Sequence, residues 1–246
     1  MNLLAVDTAT EKFSAALAAG NDTWLFEADA GLRHSELVMD AVDMLFKKAA
    51  LKPEDLSGIV CMGGPGSFTG LRIGFSLAKG LALALGCPFA AIPTLDCMAR
   101  PFFSLKGLLV PVLDAKKSSF FCAVYRDGKK VCADMDAGPA AIAGEIASAS
   151  ADQVLLFGPG ADMLYNKLTQ LPESPLADID IQPGEGLRWG NAQTLLEIAR
   201  ETDVFSNAVC KNAVTDFSAG PEYIRKSDAE ERKESRERFG VIGERG

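Results

Sequence analysis

Gly63-Gly64-Pro65-Gly66-Ser67-Phe68-Thr69-Gly70-Leu71-Arg72-Ile73-Gly74 follows the apolar run Ile59-Val60-Cys61-Met62 and leads straight into more apolar residues. The segment reads as a strand end, a sharp loop and a helix start. Glycine is needed where the backbone turns through positive φ or closely approaches another group, and free amides at a helix N-terminus attract anions. A tight strand-to-helix turn fits this pattern. So does an anion or nucleotide contact through Gly64, Gly66, Ser67 and Thr69. A Walker loop does not fit, because no Gly-Lys-Ser/Thr closes the segment. A nucleophile elbow does not fit either, since Pro65 and Thr69 stand where it needs glycines around Ser67.

Upstream of the loop, apolar runs at Leu3 to Thr8, Phe13 to Ala19 and Thr23 to Ala28 are separated by turn residues, which predicts a three-strand meander. A helix is expected over about 35–51, closed by Lys52-Pro53, then a strand at Ile59 to Met62. Downstream, a helix to about Leu85 and a strand at Phe89 to Ile92 complete the unit.

The order then starts again. Val110-Pro111-Val112-Leu113-Asp114 matches the Leu3-to-Asp7 strand, each ending in an aspartate, and Phe13 and Phe120 lie equally far beyond those aspartates. Turns at Asn21-Asp22 and Asp127-Gly128 correspond, and Val154 to Phe157 leads into Gly158-Pro159-Gly160 and a helix over Ala161 to Leu171. Two β-β-β-α-β-α units of this kind predict an α/β, duplicated actin-like (ASKHA, ribonuclease H-like) fold. The expected division is a lobe at 1–104, a second lobe at 105–225 whose last helices pack back on the first, and a charged tail at 226–246.

A chain of 246 residues with net charge −8 has room for two cores and no extensive basic groove for nucleic acid. Six cysteines are scattered in apolar runs without a Cys-x-x-Cys pair, as expected of free thiols in a cytoplasmic protein. The start of the chain lacks a basic n-region, and Lys79 and several glycines interrupt the run from Ile73 to Ile92, so neither a signal peptide nor a membrane span is expected. His34 is the only histidine, which excludes a metalloprotease built on paired histidines.

With its neighbours, the segment Gly64 to Gly74 resembles the signature of the bacterial TsaB (YeaZ) family. Leu4-Ala5-Val6-Asp7-Thr8, Arg33-His34-Ser35-Glu36, Asp114-Ala115-Lys116 with Tyr125, and Pro221-Glu222-Tyr223-Ile224-Arg225 support the resemblance in order along the chain. It implies a non-catalytic subunit in tRNA threonylcarbamoyladenosine formation. Such a subunit pairs with a TsaD-type paralogue and a TsaE-type ATPase, forms a homodimer when alone, and meets tRNA only through the complex.

Where a TsaD-type enzyme has a metal-binding His-x-x-x-His, this chain offers Asp96 and Arg100. A guanidinium has no lone pair for a metal. The turns after Asp7 and Asp114 read Thr8-Ala9-Thr10 and Ala115-Lys116-Lys117, without the glycines that let phosphates approach, so binding of ATP with Mg²⁺ is expected to be weak or absent. Asp7 and Asp114 either hold Mg²⁺ through water or cap their turns, and with Thr8 they join the loop residues as candidate anion or nucleotide contacts. An actin-like ATPase or small-molecule kinase is the alternative reading.

Gly70, Gly74, Ala78, Ala82 and Gly86 recur every four residues and predict a flat row open to close approach by another helix. In the preceding helix Leu37, Val38, Ala41, Val42, Leu45 and Ala49 form a core stripe, and Met39, Met44 and Phe46 widen the apolar surface. The resemblance implies a partner interface at Leu37, Met39, Val42, Phe46, Gly70, Arg72, Gly74, Ala78 and Ala82. Burial of both helices within the same chain is the alternative. On the interface reading, Gly74→Leu weakens partner binding and leaves the fold intact.

Overall fold

Short apolar runs punctuated by turn residues build an antiparallel meander of β1 (Leu3–Asp7), β2 (Lys12–Ala19) and β3 (Asp22–Asp29) in the computed structural model. The structure describes residues 1–172, 175–176, 179–184, 190–202, 204–205, 220–222 and 224. The charged tail at 226–246, Tyr223, Arg225 and Cys210 lie outside the described residues. Next comes α1 (His34–Ala49), which ends at Ala50 in the left-handed conformation (φ 53°), before Lys52-Pro53. β4 (Gly58–Gly64) then runs parallel to β1, and α2 (Phe68–Leu85) crosses over to β5 (Phe89–Pro93) beside it. The sheet order is β3-β2-β1-β4-β5. Every residue of β1 and β4 is buried, as in strands covered on both faces.

After α3 (Thr94–Ala99), the second half begins with β6 (Leu108–Asp114), β7 (Phe120–Cys122), β8 (Tyr125–Arg126), β9 (Lys129–Lys130) and β10 (Met135–Ala137). It continues through α4 (Pro139–Ser148), β11 (Gln153–Phe157), α5 (Ala161–Thr169) and β12 (Asp180–Pro183). The order β10-β7-β6-β11-β12 reproduces the first sheet strand by strand, which establishes the duplication. One detail differs from a simple copy. β7 and β8 pair with β6 in a single register (Val112↔Cys122, Leu109↔Tyr125), so the middle strand of the second meander is broken in two.

The final described helix, α6 (Ala192–Glu201), follows the second half in the chain and packs on the first. Ala192, Leu195, Leu196 and Ala199 pack on Leu3, Ala5, Ala16, Ala18 and Val60 of the first sheet. Small residues on that face let a helix sit close. The opposite face, with Leu4, Val6, Phe13, Leu17 and Ile59, is covered by α1 and α2. α2 is long and apolar enough to cross a membrane by length and composition. Here it is the crossover between two neighbouring strands, with its inner row in the core.

Candidate functional site

The glycines of the loop between β4 and α2 are needed for contacts inside the chain. A Cβ on Gly66 would lie 2.6 Å from the Ala9 carbonyl oxygen, and one on Gly70 only 2.0 Å from that of Thr8. Gly64 has φ +109°, and a Cβ there would meet the Glu222 carbonyl at 2.3 Å, while the Glu222 amide donates to the Gly63 carbonyl at 2.7 Å. A strand-end turn and a distant C-terminal segment therefore grip this loop from two sides. Its amides are engaged too: Ser67 donates to the Ala9 carbonyl at 2.7 Å, and Gly70 donates to the Ser67 side chain, which caps α2. The Ser67 amide is thus committed inside the chain, while Gly66 is half-buried and the Ser67 side chain is exposed. Thr69 remains exposed at the helix start.

The row Gly70, Gly74, Ala78 and Ala82 faces the chain's own sheet. Thr8 donates its hydroxyl to the Gly70 carbonyl at 2.7 Å, and a Cβ on Gly74 would lie 2.6 Å from the Thr8 Oγ1. Ala78 and Ala82 are buried in the core with Phe75, as are Val42 and Phe46 of α1. Close approach does occur along this row, and the approaching group is Thr8, just after β1 of the same chain. Gly74→Leu would therefore strain the fold. The outer stripe of α2 is Thr69, Arg72, Ser76, Gly80 and Leu83. Arg72 lays its guanidinium 3.8 Å over the Phe68 ring, beside an open groove of about 480 Å³ lined by Ser35, Val38, Phe68, Thr69, Arg72, Ile73 and Ser76. Met39 and Met44 of α1 are exposed and Leu37 is half-buried.

The two strand-end aspartates have diverged. Asp7 is fully buried, and its Oδ1 accepts from the Ala9 amide at 2.9 Å. Its Oδ2 accepts from both the backbone amide and the side-chain amide of Asn191, each at 3.0 Å. Ser14 Oγ accepts from the Ala192 amide at 3.0 Å. Together Asp7 and Ser14 cap the N-terminus of α6, where a carboxylate is electrostatically favoured. Burial still pushes the Asp7 carboxyl up from its ordinary value, against the lowering effect of these bonds and of His34 nearby. Asp114, in contrast, accepts from the Lys116 amide at 2.7 Å and the Lys116 ammonium at 2.8 Å. Its partial burial pushes its carboxyl up, but the bonds and charge of Lys116 outweigh this and hold it below the usual value.

At the positions expected to replace a metal-binding pair, Asp96 accepts from the Tyr125 hydroxyl and pairs with Lys130, while Arg100 pairs with Glu201. Among the described residues no cluster of three or more His, Cys, Asp or Glu is arranged to hold a metal. His34 is 4% exposed, edge-on to Phe13, with its Nε2 lacking a hydrogen-bond partner among the described residues. Nothing in the local sequence signals this burial. Burial pushes the thiols of Cys61 and Cys122 up to about 12, which makes both poor nucleophiles. Sequence reasoning also missed Asn191, Ser14 and Gly190. A Cβ on Gly190 would lie 2.1 Å from Ser14 Oγ, and the glycine before an Asn at a helix start was the available signal.

The family model described as "TsaD: tRNA N6-adenosine threonylcarbamoyltransferase" matches residues 28–159. The chain is 38% identical over 128 residues to "tRNA threonylcarbamoyladenosine biosynthesis protein TsaB" of Bacillus subtilis (strain 168), a match covering 51% of this chain and 56% of that one. It is 34% identical over 154 residues to an uncharacterised protein of Mycobacterium tuberculosis (strain ATCC 25618 / H37Rv), covering 58% and 71%. Its fold is similar to a solved structure described as "an uncharacterized protein with similarity to peptidase YEAZ from Pseudomonas aeruginosa", with TM-score 0.73 and 23% identity over 91% of this chain and 99% of that one. The match spans about half the length of the curated TsaB relatives. Paired actin-like sheets, a glycine loop locked against the first strand end, and these likenesses lead to one assignment: the chain belongs to the TsaD family, as a TsaB/YeaZ member.

Proposed function

We propose that this chain is a non-catalytic subunit in tRNA threonylcarbamoyladenosine biosynthesis, which supports a TsaD-type transferase by pairing with it through the outer faces of α1 and α2. A TsaE-type ATPase joins the assembly. The observation that carries this reading is exposure of large apolar side chains on two neighbouring helices, with Leu83 70% exposed, Met39 52% and Met44 41%, and an open groove between the helices with Arg72 in its lining. Methionine and arginine are enriched at protein interfaces, and these side chains with the groove suit such a surface. The interface assigned here keeps Leu37, Met39 and Arg72 and adds Ile73, Ser76 and Leu83, in place of the inward-facing Val42, Phe46, Gly70, Gly74, Ala78 and Ala82. In isolation the same surface pairs two copies.

A non-catalytic role is supported by what the candidate groups already do. Asp7 caps a helix, Asp96 and Arg100 are paired, and the glycine-loop amides bond to Ala9 and Ser67. A net charge of −8 supports contact with tRNA through the complex, since phosphate binding draws on clustered Lys and Arg. Five free thiols among the described residues suit a reducing, cytoplasmic setting.

Native mass spectrometry with a TsaD-type partner tests the proposal. Met39→Asp with Leu83→Asp is expected to weaken the complex about 100-fold, in line with loss of central interface residues. An undiminished heterodimer would remove this surface from consideration. Titration with ATP and Mg²⁺ addresses the alternative: micromolar binding with turnover by the isolated chain would favour an actin-like ATPase.

A further inference from the structure

α3 lies between the two halves of the molecule. Leu95, Met98 and Ala99 enter the core formed with Leu109, Leu113, Ala123 and Phe157 of the second half, whereas Cys97 joins the core shared by the first sheet and α6. Two polar arms leave α3 in different directions. Asp96 accepts from the Tyr125 hydroxyl and pairs at 2.8 Å with Lys130, which also pairs at 2.6 Å with Asp134. Burial, with Asp96 close by, pushes the Tyr125 phenol well up, so it stays a donor. One turn further along, Arg100 pairs with Glu201 at the end of α6. The Cys97 thiol faces the Asn191 carbonyl at 3.8 Å at the opposite end of that helix.

Apolar packing is non-directional, so Leu, Met and Ala contacts alone resist small sliding and rotation of a short helix only weakly. Charge-assisted hydrogen bonds are directional and add geometric specificity. We infer that α3 is a two-armed latch, holding the second half through Asp96, Tyr125 and Lys130 and α6 through Arg100 and Glu201, so that directional bonds as well as apolar packing fix the angle between the halves.

Hydrogen exchange and small-angle scattering of the full chain test the latch. The double variant Asp96→Asn, Tyr125→Phe should exchange amides of α3, β8 and β9 about tenfold faster and show a broadened distance distribution, because local opening no longer breaks charged hydrogen bonds. Arg100→Met should instead speed exchange at the end of α6 and leave β8 and β9 unchanged. Arg126→Met is the control: it removes bonds to the Ala149 and Ser150 carbonyls from the same hairpin and should leave α3 protected. Wild-type protection and scattering in a folded double variant would overturn the inference. If the double variant does not fold, Tyr125→Phe alone, which removes one hydroxyl, is judged by the same exchange criterion.

Discussion

Asp7 and Asp114 end equivalent strands of a duplicated unit, yet the first is sealed beneath α6 and the second stands partly open with a lysine beside it. Each accepts from the amide two residues on, so the local turn chemistry survived duplication. Only the environment changed. In the first half a helix from the far end of the chain brings Asn191 onto the carboxylate. In the second, Lys116 reaches back from the turn, where Lys116, Lys117 and Ser118 all have positive φ (61°, 51° and 65°). The same residue at the same topological position is a helix cap in one case and a surface ion pair in the other. Function therefore has to be argued from each site and not from the shared fold.

The largest expected contrast lies in the glycine loops. Gly66→Ala, at the counterpart position to Gly160, brings a methyl to 2.6 Å from the Ala9 carbonyl oxygen, backbone against backbone, and should cost about 4 kcal/mol or more. Gly160→Ala meets its nearest neighbours at 3.0 Å and should cost about 1–2 kcal/mol in urea unfolding. Equal losses would make the two loops equivalent and break the comparison. Next in size is Asp7→Ala, which strands buried donors of Ala9 and Asn191 and should cost about 3–5 kcal/mol, whereas Asp114→Ala should cost about 1 kcal/mol or less. Thr8→Val, which keeps the shape and removes one buried bond to Gly70, should cost about 1 kcal/mol.

The pH dependence sharpens the comparison further, because the two carboxylates act with opposite sign. Asp7 is raised, so the folded chain holds its proton more tightly than the unfolded chain does. Its contribution is present below the ordinary value of 3.8 and is lost as pH rises through the raised value. Asp114 is lowered, so its contribution is present above 3.8 and is lost as pH falls through the lowered value. Unfolding free energy measured against pH should show Asp7→Asn flattening the limb above 3.8 and Asp114→Asn flattening the limb below it. Matching effects on one limb would contradict the assigned environments.

Local order explains what the sequence revealed. Strands β1 to β5, the paired aspartates and the two Gly-Pro-Gly loops are encoded by short runs and turn residues, so the duplication was legible. The break between β7 and β8 was not, because Phe120 to Arg126 reads as one run and pairs in one register. α2 misled for a physical reason. A helix apolar nearly all round carries no phase, so its two small-residue rows, Gly70-Gly74-Ala78-Ala82 inside and Thr69-Ser76-Gly80 outside, cannot be told apart by composition. The link from Asp7 to Asn191 spans 184 positions and has no local signature.

The placement of α6 also sets an order of events during synthesis. The face of the first sheet that carries Leu3, Ala5, Ala16, Ala18 and Val60 stays bare until residues 192–199 have left the ribosome. At roughly 5–20 residues per second, the wait between completion of β5 and arrival of its cover is on the order of 5–20 s. A polypeptide stopped at the boundary between the halves would display that apolar face permanently.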